Sequence, residues 1–289
     1  MTKHKRNRAG VPVAIQLLRL GLRSLNALSP QLAGRWVYHL WFGTHRFAEP
    51  KRETQWRKQA QEFTLPHKYG PLALYSWGNG PAVLLVHGWN GRGTQMGGLA
   101  QRLVDTGYRA VAFDAPGHGR SPGNCSTIFR IIDAVEAITV EIGPFKGIVT
   151  HSFGAMVIAR ALREQISTEK VVCINPATQF SLLKDTFSKM LRIAPATQNV
   201  FEQLLEKNYG ADINSIISAD VNAAELSIPA LIIHDKDDSE VPWQQGEMLA
   251  DSWPGARFVQ TQGLGHARSL RDRATIQKAV NFIADINTD

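Results

Sequence analysis

Gly147-Ile148-Val149-Thr150-His151-Ser152-Phe153-Gly154-Ala155-Met156 is the stretch on which the fold and chemistry of this chain turn. The β-branched run Ile148, Val149 and Thr150 leads to a serine, and a helical run begins directly after it. Ser152 therefore falls at a strand-to-helix junction. A serine there sits on a strained turn with its hydroxyl pushed out above the sheet. Its neighbours must be small, because the strand and helix backbones approach closely. Gly154 and Ala155 meet that need. Ser152 alone also reads as a plain helix N-cap, since serine caps helices well.

Working outward, the chain from residue 70 alternates short apolar runs with helical stretches. Strands are expected at 71–77, 83–87, 109–114, 146–151, 170–174, 229–234 and 256–261. Helices are expected at 94–106, 126–142, 153–166, 243–252 and 270–285. Ala82-Val83-Leu84-Leu85-Val86 and Ala230-Leu231-Ile232-Ile233 lack in/out alternation. Such strands are buried on both faces, as in a parallel sheet covered by helices. Residues 177–225 break the rhythm with helical patterns at 181–192, 198–208 and 212–218 and no strand. An insertion there is expected above the carboxyl ends of the strands, where open α/β sheets bind ligands. The fold class is thus α/β, a mostly parallel central sheet flanked by helices with a small helical cap insertion.

Thr150-His151-Ser152-Phe153-Gly154 resembles the nucleophile elbow of the α/β-hydrolase superfamily, with Thr150 where that family usually has glycine. Further motifs keep the family's order. Val83-Leu84-Leu85-Val86-His87-Gly88-Trp89-Asn90-Gly91 is a buried strand ending in a His-Gly turn. The resemblance implies oxyanion donors at the backbone N–H groups of Trp89 and Phe153, with His87 a structural residue of the turn. Asp114-Ala115-Pro116-Gly117-His118-Gly119-Arg120-Ser121 is similar to the family's Asp-x-x-Gly-His-Gly-x-Ser turn, which shapes the loop. In His234-Asp235-Lys236-Asp237-Asp238-Ser239-Glu240-Val241-Pro242 the family's spacing places the acid at Asp238, with Asp237 as its rival; Asp235 replaces a glycine. Gly265-His266 matches the place of the base.

The resemblance spans residues 65–285. It implies a Ser152–Asp238–His266 triad, acyl transfer through an acyl-enzyme, no metal and no cofactor. The expected substrate is a small-molecule carboxylic ester. A thioesterase, acyltransferase or peptidase with the same triad stays open, as does a non-catalytic binding protein on this fold. The expected segments are an N-terminal helical extension at 1–64, a core at 65–176 and 226–289, and a cap or lid at 177–225.

Composition bounds these expectations. The chain has 289 residues, 44% hydrophobic and 20% charged, which suits one large α/β domain or a core with a small insertion. Its net charge of +7 is concentrated in residues 1–70, where thirteen Lys and Arg face three Glu, leaving −3 for the rest. No nucleic-acid-binding motif accompanies the basic segment. The pair Cys125 and Cys173 fits a reducing, cytoplasmic setting. Residues 11–48 read as amphipathic helix, with Leu17, Leu18, Leu20, Leu22, Leu25 and Leu28 interrupted by Arg19 and Arg23, then Trp36, Tyr38, Trp41 and Phe42. The arginines and the lack of a clean cleavage site argue against a secretory signal. Either the segment packs on the domain, or its basic and aromatic residues give weak association with a membrane surface.

Overall fold

The apolar runs form a single eight-stranded sheet. The computed structural model describes residues 12–164 and 166–286; the basic stretch at residues 1–10 lies outside them. In chain order the helices and strands are α1 (Val13–Leu28), α2 (Pro30–Phe42), α3 (Lys51–Gln59), β1 (Gln61–Leu65), β2 (Leu72–Trp77), β3 (Ala82–Val86), α4 (Gly97–Asp105), β4 (Arg109–Phe113), α5 (Ile128–Ile142), β5 (Gly147–His151), α6 (Gly154–Glu164) and β6 (Val171–Ile174). They continue with α7 (Phe180–Leu191), α8 (Pro195–Tyr209), α9 (Ile213–Ile217), α10 (Ala219–Ala223), β7 (Ala230–Asp235), α11 (Gln244–Ser252), β8 (Arg257–Thr261), α12 (Gly265–Arg268) and α13 (Arg273–Ile283).

The strand order is β1-β2-β4-β3-β5-β6-β7-β8. β1 and β2 run antiparallel at one edge, and the six remaining strands are parallel. All seven strands expected from sequence are present. β1 is additional: only Phe63 and Leu65 are apolar in it, so it lacks the run that marks the buried strands. Val83, Leu85, Val149, Val172, Ile174 and Ile233 pack beneath α4 and α13 in one continuous core. Side-chain caps fix the starts of two covering helices. Thr127 accepts from the Arg130 N–H at α5, and Asp272 accepts from the Thr275 N–H at α13.

The chain divides into two compact units, residues 1–41 with 181–213 and residues 42–180 with 214–289. The grouping differs from the segments read along the sequence. Within the first unit Phe187 of α7 packs on Trp41 and Phe201 at centroid distances of 5.1 and 6.4 Å. Trp41 also meets the fully buried Phe201 at 5.7 Å. Arg19 and Asn26 of α1 add polar ties, to the Met190 carbonyl and the Thr197 hydroxyl. No described helix is long and apolar enough to cross a membrane.

Candidate active site

Ser152 stands between β5 and α6 with φ of 54°. That left-handed conformation costs a non-glycine residue about 1–3 kcal/mol and persists only where surroundings over-determine it. Here the Ser152 N–H donates to the Ile174 carbonyl, and its own carbonyl accepts from the Ala155 and Ala177 N–H groups, all at 3.1 Å. The small residues around it are needed for space. A Cβ on Gly154 would lie 2.9 Å from the Val86 carbonyl oxygen, and one on Gly88 would lie 2.8 Å from Ser152 Cβ. The end of β3 is thereby pressed against the serine.

The Gly88–Gly91 turn closes with a 3.0 Å hydrogen bond and sets the Trp89 ring edge-on to Phe153 at 5.3 Å. Among the described residues, neither the Trp89 nor the Phe153 backbone N–H has an acceptor. His87 Nε2 accepts from the Ala115 N–H at 3.0 Å, so its Nδ1–H donates to the Gly88 carbonyl at 2.7 Å. It ties the two turns together as a neutral imidazole; burial lowers its pKa to about 4. The neighbouring Asp114 carboxylate accepts from Gly93 N–H, Arg120 N–H and Tyr75 hydroxyl. It shapes the 114–121 loop.

His266 lies at the start of α12, just after β8. Its Nδ1 lies 2.7 Å from Asp238 Oδ2, and the Asp238 side chain is fully buried. Asp238 Oδ1 accepts from the Glu240 and Val241 N–H groups, each at 2.9 Å. Burial alone would raise this carboxyl's pKa. Hydrogen bonds from His234, His266 and the Val241 N–H outweigh burial and hold it well below the usual carboxylate range. With Asp238 ionised, the His266 Nδ1–H is the donor, leaving Nε2 with a lone pair. The exposed Asp237 instead accepts from the Gly263 N–H at 3.0 Å, and among the described residues no hydrogen bond or ion pair joins it to His266.

Four residues beside the proposed triad hold this arrangement. Asn175, with φ of 47° after β6, donates through Nδ2 to the His266 carbonyl at 2.8 Å and accepts from the Asp235 N–H at 3.0 Å. His151 is buried with its ring 4.6 Å from that of His266; its Nε2 lies 3.2 Å from the His266 carbonyl. Burial, then the adjacent His266, lower the His151 pKa to about 3. Asp235 accepts from the Leu264 and Gly265 N–H groups and the Thr261 hydroxyl, lacing the Asp238 loop to the His266 loop. His234 is fully buried 3.4 Å from Asp238 Oδ2. One signal for Asn175 lies in the sequence: a polar residue immediately after a buried strand, at the carboxyl edge of the sheet. Among the described residues no group of three or more His, Cys, Asp or Glu is arranged to hold a metal ion.

Parts of this chain are similar to known proteins. Residues 83–215 match the sequence model of the Alpha/beta hydrolase family. The protein named "Putative carbamate hydrolase RutD" of Variovorax paradoxus is 24% identical over 249 residues, which cover 72% of this chain and 94% of that one. Lysophosphatidylserine lipase ABHD12 of Danio rerio is 30% identical over 185 residues, covering 59% of this chain and 47% of the lipase. Among solved structures, a serine hydrolase from Cycloclasticus zankles superposes with a TM-score of 0.61 at 17% identity, covering 80% of this chain and all of that one. At that identity the likeness speaks to the fold. Sheet order and structural likeness give this chain the α/β-hydrolase fold, and residues 83–215 carry the sequence pattern of that family.

Proposed function

We propose that this protein is a serine hydrolase that cleaves carboxylic esters through an acyl-enzyme on Ser152. The observation that carries the proposal is the pairing of His266 with Asp238 at 2.7 Å on a loop tied to His151, the residue preceding the left-handed Ser152. In the reaction, His266 Nε2 takes the Ser152 hydroxyl proton as Oγ attacks the ester carbonyl. The oxyanion is held by the Trp89 and Phe153 N–H groups, which are fixed before charge develops. Collapse breaks the C–O bond, and His266 returns the proton to the departing alcohol. Water, deprotonated by His266, then releases the carboxylic acid and regenerates Ser152. Asp238 stabilises the imidazolium formed in each half. Ester is the choice of acyl bond because related proteins are named as lipases and esterases. Both cysteines are free, in keeping with a cytoplasmic protein.

The test pairs active-site labelling by a fluorophosphonate with hydrolysis of aryl esters of increasing acyl length, alongside aryl carbamates, thioesters and amides. Wild type is expected to label and to turn esters over fastest, and Ser152→Ala to do neither. Labelling that survives Ser152→Ala overturns the nucleophile assignment. Faster turnover of a carbamate, thioester or amide overturns the ester assignment, and no labelling at all would return the chain to a binding role.

A further inference from the structure

Residues 1–48 contain eight Lys or Arg and no Asp or Glu. In the helical unit, α1 is apolar on opposite sides. Leu22 is buried, and Ile15, Leu18 and Leu25 are half-buried. Facing solvent, Val13, Leu17, Leu20 and Leu28 are 71, 63, 60 and 83% exposed. At 3.6 residues per turn those four fall within an arc of about 80°. Single exposed apolar residues are ordinary; a contiguous stripe of large ones marks a contact surface.

Cationic groups border the stripe. Arg19, Arg23 and Arg192 line a groove of about 570 Å³ together with Leu20, Asn26 and Thr197. Among the described residues none of the three arginines is in an ion pair. Ala194, which precedes Pro195 at the start of the 15-residue α8, also lines the groove, so the positive end of that helix adds to the field.

We propose that the helical unit docks on an anionic phospholipid surface. Val13, Leu17, Leu20 and Leu28 enter the boundary of the acyl chains, and Arg23 and Arg192 meet lipid phosphates. A helix with an exposed apolar face flanked by cations lies in the plane of such an interface, and polybasic attraction strengthens it. Charge selects this occupant over a second copy of the chain, which would set one arginine cluster close to another. The contact is aliphatic. Trp41, expected from the sequence to join an aromatic membrane contact, is packed against Phe187 and Phe201.

The test is co-sedimentation of the full chain with phosphatidylcholine vesicles, with and without phosphatidylglycerol. Binding is expected only to the anionic vesicles and is expected to reverse at high salt. Arg23→Glu with Arg192→Glu is expected to weaken partitioning by at least about 25-fold, each nearby cation being worth about fivefold. Leu17→Ser with Leu20→Ser is expected to weaken it by at least about tenfold, roughly the loss from removing exposed leucines from an apolar phase. Both pairs are exposed, so hydrolysis of a short soluble ester and the circular dichroism spectrum are expected to stay as in wild type. Equal binding to neutral vesicles, indifference to both variant pairs, or no binding overturns the proposal. A dimer in light scattering that Leu17→Ser with Leu20→Ser dissolves overturns it too, in favour of a second copy.

Discussion

Replacing Asp238 by Asn removes one charge and leaves the side chain's shape almost unchanged. In the structure Oδ1 accepts from two backbone N–H groups and Oδ2 faces His266 Nδ1. The amide oxygen of the substituted side chain would keep the two backbone bonds, so its NH₂ would point at the Nδ1–H. Two donors then oppose each other, and the imidazole must rotate or shift its proton to Nε2, where it no longer accepts from Ser152. The lost attraction is large because the pair is secluded, with side-chain exposures of 0% for Asp238 and 9% for His266. Unit charges 2.7 Å apart at an effective dielectric of about 20 interact by about 6 kcal/mol. At 1.36 kcal/mol per decade that corresponds to roughly 10⁴-fold in turnover. The expected result is such a loss in kcat for a soluble aryl ester, with the thermal melt showing a folded protein. Asp237→Asn, at a side chain that accepts from the Gly263 N–H, is expected to lose less than about tenfold, as befits an exposed side chain away from the reacting groups. If Asp237→Asn is the more damaging, or Asp238→Asn keeps more than about 1% of wild-type turnover, the assignment of the acid fails.

Asn175→Ala is expected to lower kcat roughly 10- to 100-fold while the pH profile keeps its shape, because it frees the backbone of His266 without changing any titrating group; an unchanged kcat refutes its positioning role. Gly154→Ala should lower the melting temperature by several degrees, a cost of about 1–3 kcal/mol, since the new methyl group meets the Val86 carbonyl. Phe187→Ala is expected to destabilise the helical unit, seen as faster limited proteolysis of residues 181–213, because it leaves a void against Trp41 and Phe201; a shift in acyl-length preference with no loss of protection would instead favour a lid role for α7. Acid should unfold the protein through buried neutral histidines: His87, His118 and His151 have pKa values lowered to about 4, 3 and 3. The unfolded chain takes up those protons near pH 6.5, so stability is full above that value and falls as pH drops towards 4, by up to about 1.4 kcal/mol per pH unit for each histidine. A melting temperature that stays flat from about pH 6.5 to 4.5 would contradict this.

The sheet was legible because its strands are short apolar runs with no alternation, bounded by turns, and the proposed nucleophile Ser152 and base His266 could be named because each sits in a short motif at the carboxyl end of a strand. Other parts left no such trace. Gln61–Leu65 pairs with β2 as a half-exposed edge strand, and its mixed composition reads as a loop. The choice between Asp237 and Asp238 stayed open in the sequence because adjacent carboxylates differ only in which direction a turn points them. Asn175, His151 and Asp235 act on backbone carbonyls and N–H groups of distant loops, and those contacts have no spacing rule. The pairing of Trp41 with Phe187 and Phe201 joins segments far apart in the chain, so no local periodicity announces it.

That pairing has a consequence for how the protein is made. The first compact unit is assembled from residues 1–41 and 181–213, so its two parts leave the ribosome about 140 residues apart. At a synthesis rate of about 5–20 residues per second, α1 and α2 wait on the order of ten seconds for α7 and α8. During that interval Trp41 has no Phe201 or Phe187 to cover it, and the emerging segment is both sticky and cationic. The strands of the larger unit, from β1 to β6, are complete in the meantime and offer the first stable scaffold. The nascent chain is therefore most vulnerable to aggregation before residue 201 appears, and chaperone capture or aggregation in arrested chains should fall sharply once that phenylalanine has been translated.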